Sequence, residues 1–134
     1  MITWNNLDKL TSYQELEKTE SVDLAAVMAG ENGAERVKNY NVPMAEGLAY
    51  NYAAKKVDDT VLSALEKLAE EAQLTEKFEA LYNGEVVNTG EKRLVLHHMT
   101  RGQLGDAVVA DGVDKRTFYV EQQKKIAEFA NKVH

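Results

Sequence analysis

The chain has 134 residues, a formal net charge of −6 and no cysteine, which is one domain's worth of sequence with neither a disulfide framework nor a thiolate metal site. Hydrophobic content of 44% against 28% charged residues is ordinary for a globular protein, and no apolar run approaches the ~20 residues that span a bilayer. The acidic balance speaks against nucleic acid, whose phosphates call for a basic footprint. The start, Met1 to Asp8, lacks a basic head before an apolar stretch, so a cytoplasmic chain with no membrane segment is expected. The basic pairs Lys55-Lys56, Lys92-Arg93, Lys115-Arg116 and Lys124-Lys125 are scattered beside acids and read as solvated faces.

Trp4, Leu7 and Leu10 recur every three residues and predict a short apolar stripe that could dock. Ser12-Tyr13-Gln14-Glu15 has the form of a capping box, in which hydroxyl and carboxylate each meet an orphan amide of a starting helix. Ser21 then caps a second helix that carries Leu24, Val27 and Met28 and stops at Gly30, and Asn32-Gly33-Ala34-Glu35 opens a third that ends near Tyr40. From Tyr40 to Tyr52, Pro43 forbids a central helix, Gly47 allows a turn, and Leu48, Tyr50 and Tyr52 alternate with Ala49 and Asn51; the segment predicts a hairpin. Its tyrosines are expected in core or interface with wet hydroxyls, an exposed binding stripe being the alternative.

Asp58-Asp59 place negative charge at the start of a long helix with Val61, Leu65, Leu68 and Ala72 on one face and its glutamates toward solvent. Thr75 caps the next helix, which turns Phe78, Leu81 and Tyr82 inward and stops at Asn83-Gly84. After a loop from Gly102 to Gly105, Val108-Val109 lead to an Asp111-Gly112 turn, and Asp114 caps a last helix with Tyr119, Ile126, Phe129, Ala130 and Val133 inward. That helix reaches His134 with no Gly, Asn or Pro stop and its apolar face still running, so a fragment is expected, a fraying native terminus being the alternative. The predicted fold class is mainly α with one short β hairpin.

The stretch from Glu85 to Arg101 carries the most information. Between Gly84 and Gly102, a solvated turn from Asn88 to Lys92 feeds a buried hexad, Leu94 to Met99, closed by the cation of Arg101. Asn88, Glu91 and Arg93 are expected to form a buried or half-buried polar turn, with Arg93 or Arg101 forking onto a carboxylate or carbonyls; contact with a ligand is the alternative. His97 and His98 are adjacent, so a strand points them to opposite faces and one ion cannot easily take both. Glu85 and Glu91 would complete a metal site only through a folded loop, and no metal is expected. Neither a Gly-x-Gly-x-x-Gly nor a P-loop is present, and Gly102-Gln103-Leu104-Gly105 is a weak substitute for a phosphate cradle.

The same stretch resembles a signature of the glucose-6-phosphate isomerases, Gly-Glu-x-x-Asn-x-Thr-Glu-x-Arg-x-Val-Leu-His-x-Ala-Leu-Arg. Gly84, Glu85, Asn88, Glu91, Arg93, Val95, Leu96, His97 and Arg101 stand at matching positions without a gap; Gly90, Met99 and Thr100 depart from it. A wider resemblance runs from about Leu24 to Val133, partial where the family has Tyr-Ser-Lys-Asn and this chain has Tyr52-Ala53-Ala54-Lys55-Lys56. The resemblance implies that residues 1–134 are the N-terminal helical segment of a larger αβα-sandwich enzyme of the sugar-isomerase type. That enzyme interconverts glucose 6-phosphate and fructose 6-phosphate by ring opening and proton movement between C1 and C2 through a cis-enediol, without metal or cofactor. It further implies that the base, the ring-opening histidine and the phosphate loops lie in later parts of the chain. Gly84, Glu85, Asn88, Glu91, Arg93, His97 and Arg101 are then structural, no catalytic residue is expected in this segment, and the segment alone is expected to be inactive. The partners expected are the rest of the isomerase chain, a sugar phosphate in the full enzyme and a second copy in a homo-oligomer. Two alternatives stay open: a free-standing acidic helical module that binds a protein through the Trp4/Leu7/Leu10 stripe or the tyrosine hairpin, and a regulatory piece that holds sugar phosphate with Lys92, Arg93 and Arg101.

Overall fold

Helices this short have too few internal hydrogen bonds to stand alone in water, so other segments must complete them. The computed structural model describes residues 1–102 and 105–134. The chain divides into two compact units, Asn5–Ala72 and Met1–Trp4 with Gln73–His134. Among the described residues it is mainly helical with small antiparallel strand pairs, and no helix is long and apolar enough to cross a membrane.

In the unit Asn5–Ala72, a 3-10 turn at Leu7–Lys9 leads into α1 (Thr11–Leu16), followed by α2 (Leu24–Val27), α3 (Gly30–Asn39), β1 (Asn41–Pro43), β2 (Ala49–Asn51) and α4 (Asp59–Glu71). The opening of α1 differs from the predicted box. Leu10 is the N-cap and Ser12 lies inside the helix, buried, so its hydroxyl turns away from Glu15 and toward α4, on which α1 packs. There the Glu71 carboxylate accepts from Thr11 N–H at 3.2 Å and Ser12 N–H at 2.8 Å, and the Ser12 hydroxyl donates to it as well. Two orphan amides are thereby met by a carboxylate 59 residues away. Glu71, exposed like the other glutamates of α4, is the one that also takes these donors.

Asp23, not Ser21, caps α2, accepting from Ala25 and Ala26 N–H, because Ala25 and Ala26 are the two amides within an aspartate's reach. Gly30 opens α3 instead of ending α2, and α3 starts earlier than Asn32. Gly33 is buried where a Cβ would sit 2.2 Å from the Met28 carbonyl oxygen, so only glycine allows this approach of α3 to the end of α2. The hairpin forms as predicted, pairing Asn41 with Asn51, Val42 with Tyr50 and Pro43 with Ala49. Leu48 and Tyr50 stay exposed while Tyr52 packs edge-on against Tyr40 at 5.1 Å. Arg36, from α3, ties the unit together: buried, it donates from Nε to Ala53 O at 2.8 Å and from Nη2 to Lys55 O at 2.9 Å and Val57 O at 2.6 Å, with its guanidinium 4.1 Å from the Tyr40 ring centre.

The second unit holds α5 (Leu74–Tyr82), β3 (Val86–Asn88), β4 (Arg93–Leu94), a 3-10 turn at His97–Thr100, β5 (Val109–Ala110), β6 (Val113–Asp114) and α6 (Lys115–Val133). Among the described residues two further strand pairs join the predicted hairpin, pairs of two or three residues being too short to show an alternating pattern. α5 begins one residue before Thr75, after Gln73 in the left-handed region at φ 54°. Asp111 and Gly112 both have positive φ, 53° and 74°, the geometry of a two-residue hairpin loop. Asp114 caps α6 as predicted, accepting from Arg116 and Thr117 N–H, and the Thr117 hydroxyl, foremost, holds its carboxyl below the ordinary value. Tyr119 is half-buried, but Ile126, Phe129, Ala130 and Val133, predicted inward, are exposed, as is Phe78 on α5. The predicted stripe at the start also divides: Leu10 is buried and Leu7 exposed in one unit, while Trp4, in the other, lies 5.4 Å from the Lys77 ammonium.

Hydrogen bonds from Ser12, first, hold the Glu71 carboxyl below its ordinary value of 4.5. The cap is therefore complete above that value and is lost as the pH falls through the lowered one. The Glu71→Gln variant is expected to melt below the parent at neutral pH, with the gap closing as the pH falls through the lowered value; thermal unfolding by circular dichroism across that range checks it.

Candidate functional site

The site grows from the end of α5. A helix leaves its last carbonyls without partners, and here the chain turns back on itself to meet two of them: Glu85 N–H donates to Ala80 O at 2.8 Å and Gly84 N–H to Leu81 O at 3.1 Å. This is a Schellman ending, with Gly84 in the left-handed region at φ 74°. Gly84 is needed for a second reason, because a Cβ there would lie 2.3 Å from Cγ1 of the buried Val108. The carbonyl of Tyr82 is left over.

Two side chains meet it. Nε2 of His98 lies 3.1 Å from Tyr82 O, and since a carbonyl only accepts, Nε2 carries the proton. Nη2 of Arg116 donates to the same oxygen at 3.0 Å, while Nε donates to Asp106 O at 2.7 Å. The rings reinforce this: His98 stacks on Tyr82 with centroids 4.9 Å apart, and the guanidinium lies 5.4 Å from the Tyr82 ring centre. Arg116 is buried, which corrects the reading of Lys115-Arg116 as a solvated pair. Among the described residues His98 Nδ1 and Arg116 Nη1 are buried without a hydrogen-bond partner.

The signature residues occupy the chain between these anchors. β3 and β4 pair with a bulge, Val86 against Leu94 and Asn88 against Arg93. Asn88 Oδ1 accepts from Glu91 N–H at 3.1 Å, Asn88 Nδ2 donates to Glu91 Oε2 at 3.4 Å, and Arg93 Nη1 lies 3.6 Å from that oxygen. The structure thus brings Asn88, Glu91 and Arg93 together as expected, but exposed and not half-buried. A hairpin of two to three residues a side has nothing to cover its loop.

The predicted buried hexad is also revised. Only Met99 is fully buried; Leu94, Val95, Leu96 and His98 are half-buried and His97 is exposed. The histidines stand in a 3-10 turn, where successive side chains splay by about a third of a turn, and the ring of His98 is the one that meets Tyr82. Glu85, His97 and Arg101 are exposed; Glu85 contributes its N–H to the helix ending, His97 O accepts from the Thr100 hydroxyl at 2.8 Å, and Arg101 N–H donates to His98 O at 3.0 Å. The weak phosphate loop at 102–105 includes Gln103 and Leu104, outside the described residues. A surface hollow of about 530 Å³ is lined by Glu15, Thr19, Asp59, Ser63 and Lys67 and holds no signature residue. Among the described residues no three His, Asp or Glu side chains gather as metal ligands.

Chemically, Nε2 of His98 and Nε and Nη2 of Arg116 are spent on backbone oxygens. Sequence reasoning passed over Arg116, His98 and, in the other unit, Arg36 and Glu71. One signal was available: a cation in the first turn of a helix opposes the macrodipole, so Lys115-Arg116 directly after the Asp114 cap implies another attachment. Arg36 gave no such sign, because its partners are main-chain oxygens.

The family model for phosphoglucose isomerase matches residues 51–134, taking in α4, the helix ending, the signature and α6. The chain belongs to the phosphoglucose isomerase family. A glucose-6-phosphate isomerase of Treponema denticola is 52% identical over 98% of this chain and 26% of its own length. Those of Treponema pallidum and Borreliella afzelii are 39% and 37% identical over 99% and 100% of this chain. The chain spans about a quarter of the length of these curated phosphoglucose isomerase relatives.

Replacing Arg116 by Lys removes the fork that joins Asp106 O to Tyr82 O and is expected to cost about 1–3 kcal/mol. Gly84→Ala adds a positive-φ penalty to the clash with Val108 and is expected to destabilise by at least about 1 kcal/mol. Arg93→Ala, at an exposed pair, is expected to leave the urea midpoint where it is. Urea unfolding of the three variants checks the ranking.

Proposed function

We propose that this chain is the structural N-terminal segment of a glucose-6-phosphate isomerase, an enzyme of glycolysis and gluconeogenesis that interconverts glucose 6-phosphate and fructose 6-phosphate. The catalytic sugar-isomerase domains, of αβα-sandwich type, lie in the part of the isomerase chain outside these residues. Gly84, Glu85, Asn88, Glu91, Arg93, His97 and Arg101 act here as structure: Gly84 and Glu85 end a helix, Asn88, Glu91 and Arg93 close a turn, and the segment from His97 to Arg101 carries Met99 and His98 to their places. The observation that carries this reading is the commitment of the covered polar groups to the main chain, Arg116 and His98 both meeting Tyr82 O. The partners are the rest of the isomerase chain and, in the whole cytoplasmic enzyme, a sugar phosphate and a second subunit.

The reading of a free-standing binding module draws support from the hairpin, where Leu48 and Tyr50 are exposed by 66% and 51%. The buried Leu10 and the divided stripe take away its other surface.

The test is a coupled isomerase assay. The purified 134-residue chain is expected to give no turnover of fructose 6-phosphate and no shift of its Tm on adding it, whereas the full-length isomerase carrying this sequence turns it over. Turnover by the segment alone would overturn the structural reading, and a Tm shift without turnover would favour sugar-phosphate binding by Lys92, Arg93 and Arg101.

A further inference from the structure

α6 is held by its first half and free in its second. Arg116 anchors its start and Gln123 Nε2 donates to Thr100 O at 2.7 Å. From there the helix runs ten residues further to Val133, about 15 Å at 1.5 Å per residue. Along its whole length Tyr119, Gln122, Ile126, Phe129 and Val133 follow a strict three-four spacing, the a and d positions of a heptad. Tyr119 and Gln122 are half-buried, but Ile126, Phe129 and Val133 are exposed by 67%, 69% and 66%. One flank of the seam, at the g positions, carries Lys125 and Lys132, while the other carries Gln123 and Ala130.

We propose that this seam is the docking face for an amphipathic helix with an acidic flank, supplied by the part of the isomerase chain that lies outside these residues. The proposal rests on the reading of the chain as one segment of a longer isomerase. Length favours that occupant, since the curated relatives extend to about four times this chain. A second copy fits poorly on two counts. The seam spans about two heptads where self-association calls for three or four, and an antiparallel copy would set Lys125 and Lys132 of one chain against those of the other, while a parallel copy would offer them only Gln123 and Ala130. A helix of the same chain needs no such length, because tethering supplies a high effective concentration, and acids along its edge pair with the two lysines.

The 134 residues contain no cysteine, which makes thiol labelling a direct test in the full-length isomerase with any other reactive cysteine removed. F129C reports on the seam and K124C on the opposite face; V133C replaces F129C should that variant fail to fold. In the full-length enzyme F129C is expected to label at least about tenfold more slowly than K124C, and in the 134-residue chain at the same rate. Equal rates in the full-length enzyme would overturn the proposal, as would protection of F129C in the short chain that grows with its concentration. Adding K125E and K132E is expected to speed labelling of F129C several-fold in the full-length enzyme; an unchanged rate would overturn the acidic partner. Isomerase turnover of the same samples is read separately, so that protection without turnover counts against the enzymatic reading alone, and turnover without protection against this proposal alone.

Discussion

One carbonyl oxygen, that of Tyr82, governs the unit that carries the signature. A helix end exposes four carbonyls, and burying one without a donor costs as much as a lost hydrogen bond. The Schellman turn at Gly84 deals with Ala80 and Leu81 but cannot reach Tyr82, whose oxygen is met by His98 and Arg116 from two segments far apart in sequence. Those two side chains bring the 3-10 turn and the start of α6 to the same point. A cation at a helix C-terminus is also favoured by the macrodipole, so Arg116 serves α5 where it opposes its own helix. The unit Asn5–Ala72 repeats the device in another form: Arg36 gathers the oxygens of Ala53, Lys55 and Val57, a loop that has no regular partners of its own. Arginine suits both positions because its planar fork directs several donors at once.

The signature takes on a physical meaning in this setting. Its first residue is glycine because the backbone turns left-handed there and Val108 fills the space a side chain would need. Its Asn88 and Glu91 close the bulged hairpin, with Lys92 itself at φ 55°. Its histidine pair leads into a tight turn that buries Met99. The run thus shapes one corner of its unit, from the helix ending at Gly84 to the turn at Met99.

What could be read from the sequence was what is written locally. The hairpin around Pro43 and Gly47, the long helix after Asp58, the stop at Asn83-Gly84, the Asp111-Gly112 turn and the Asp114 cap all depend on neighbours within a few residues, and all stand where expected. Side chains that reach across the chain were misread. Ser12 looked for Glu15 and found Glu71; Arg116 looked solvated and holds Tyr82 and Asp106; His98, passed over beside His97, meets Tyr82 O. The apolar faces of α5 and α6 were legible as patterns, yet periodicity tells which residues seek cover and not where the cover is. Phe78 and Phe129 lie open in this chain.

The Glu71 cap bears on the order in which the chain acquires structure. α1 is made before α4 at synthesis, but its opening amides have no acceptor until the last turn of α4 has been laid down and folded. Closing that loop is an entropic step that must precede its reward. The earliest helix in the sequence is thus among the later ones to become permanent, and any loosening at the end of α4 would release it again.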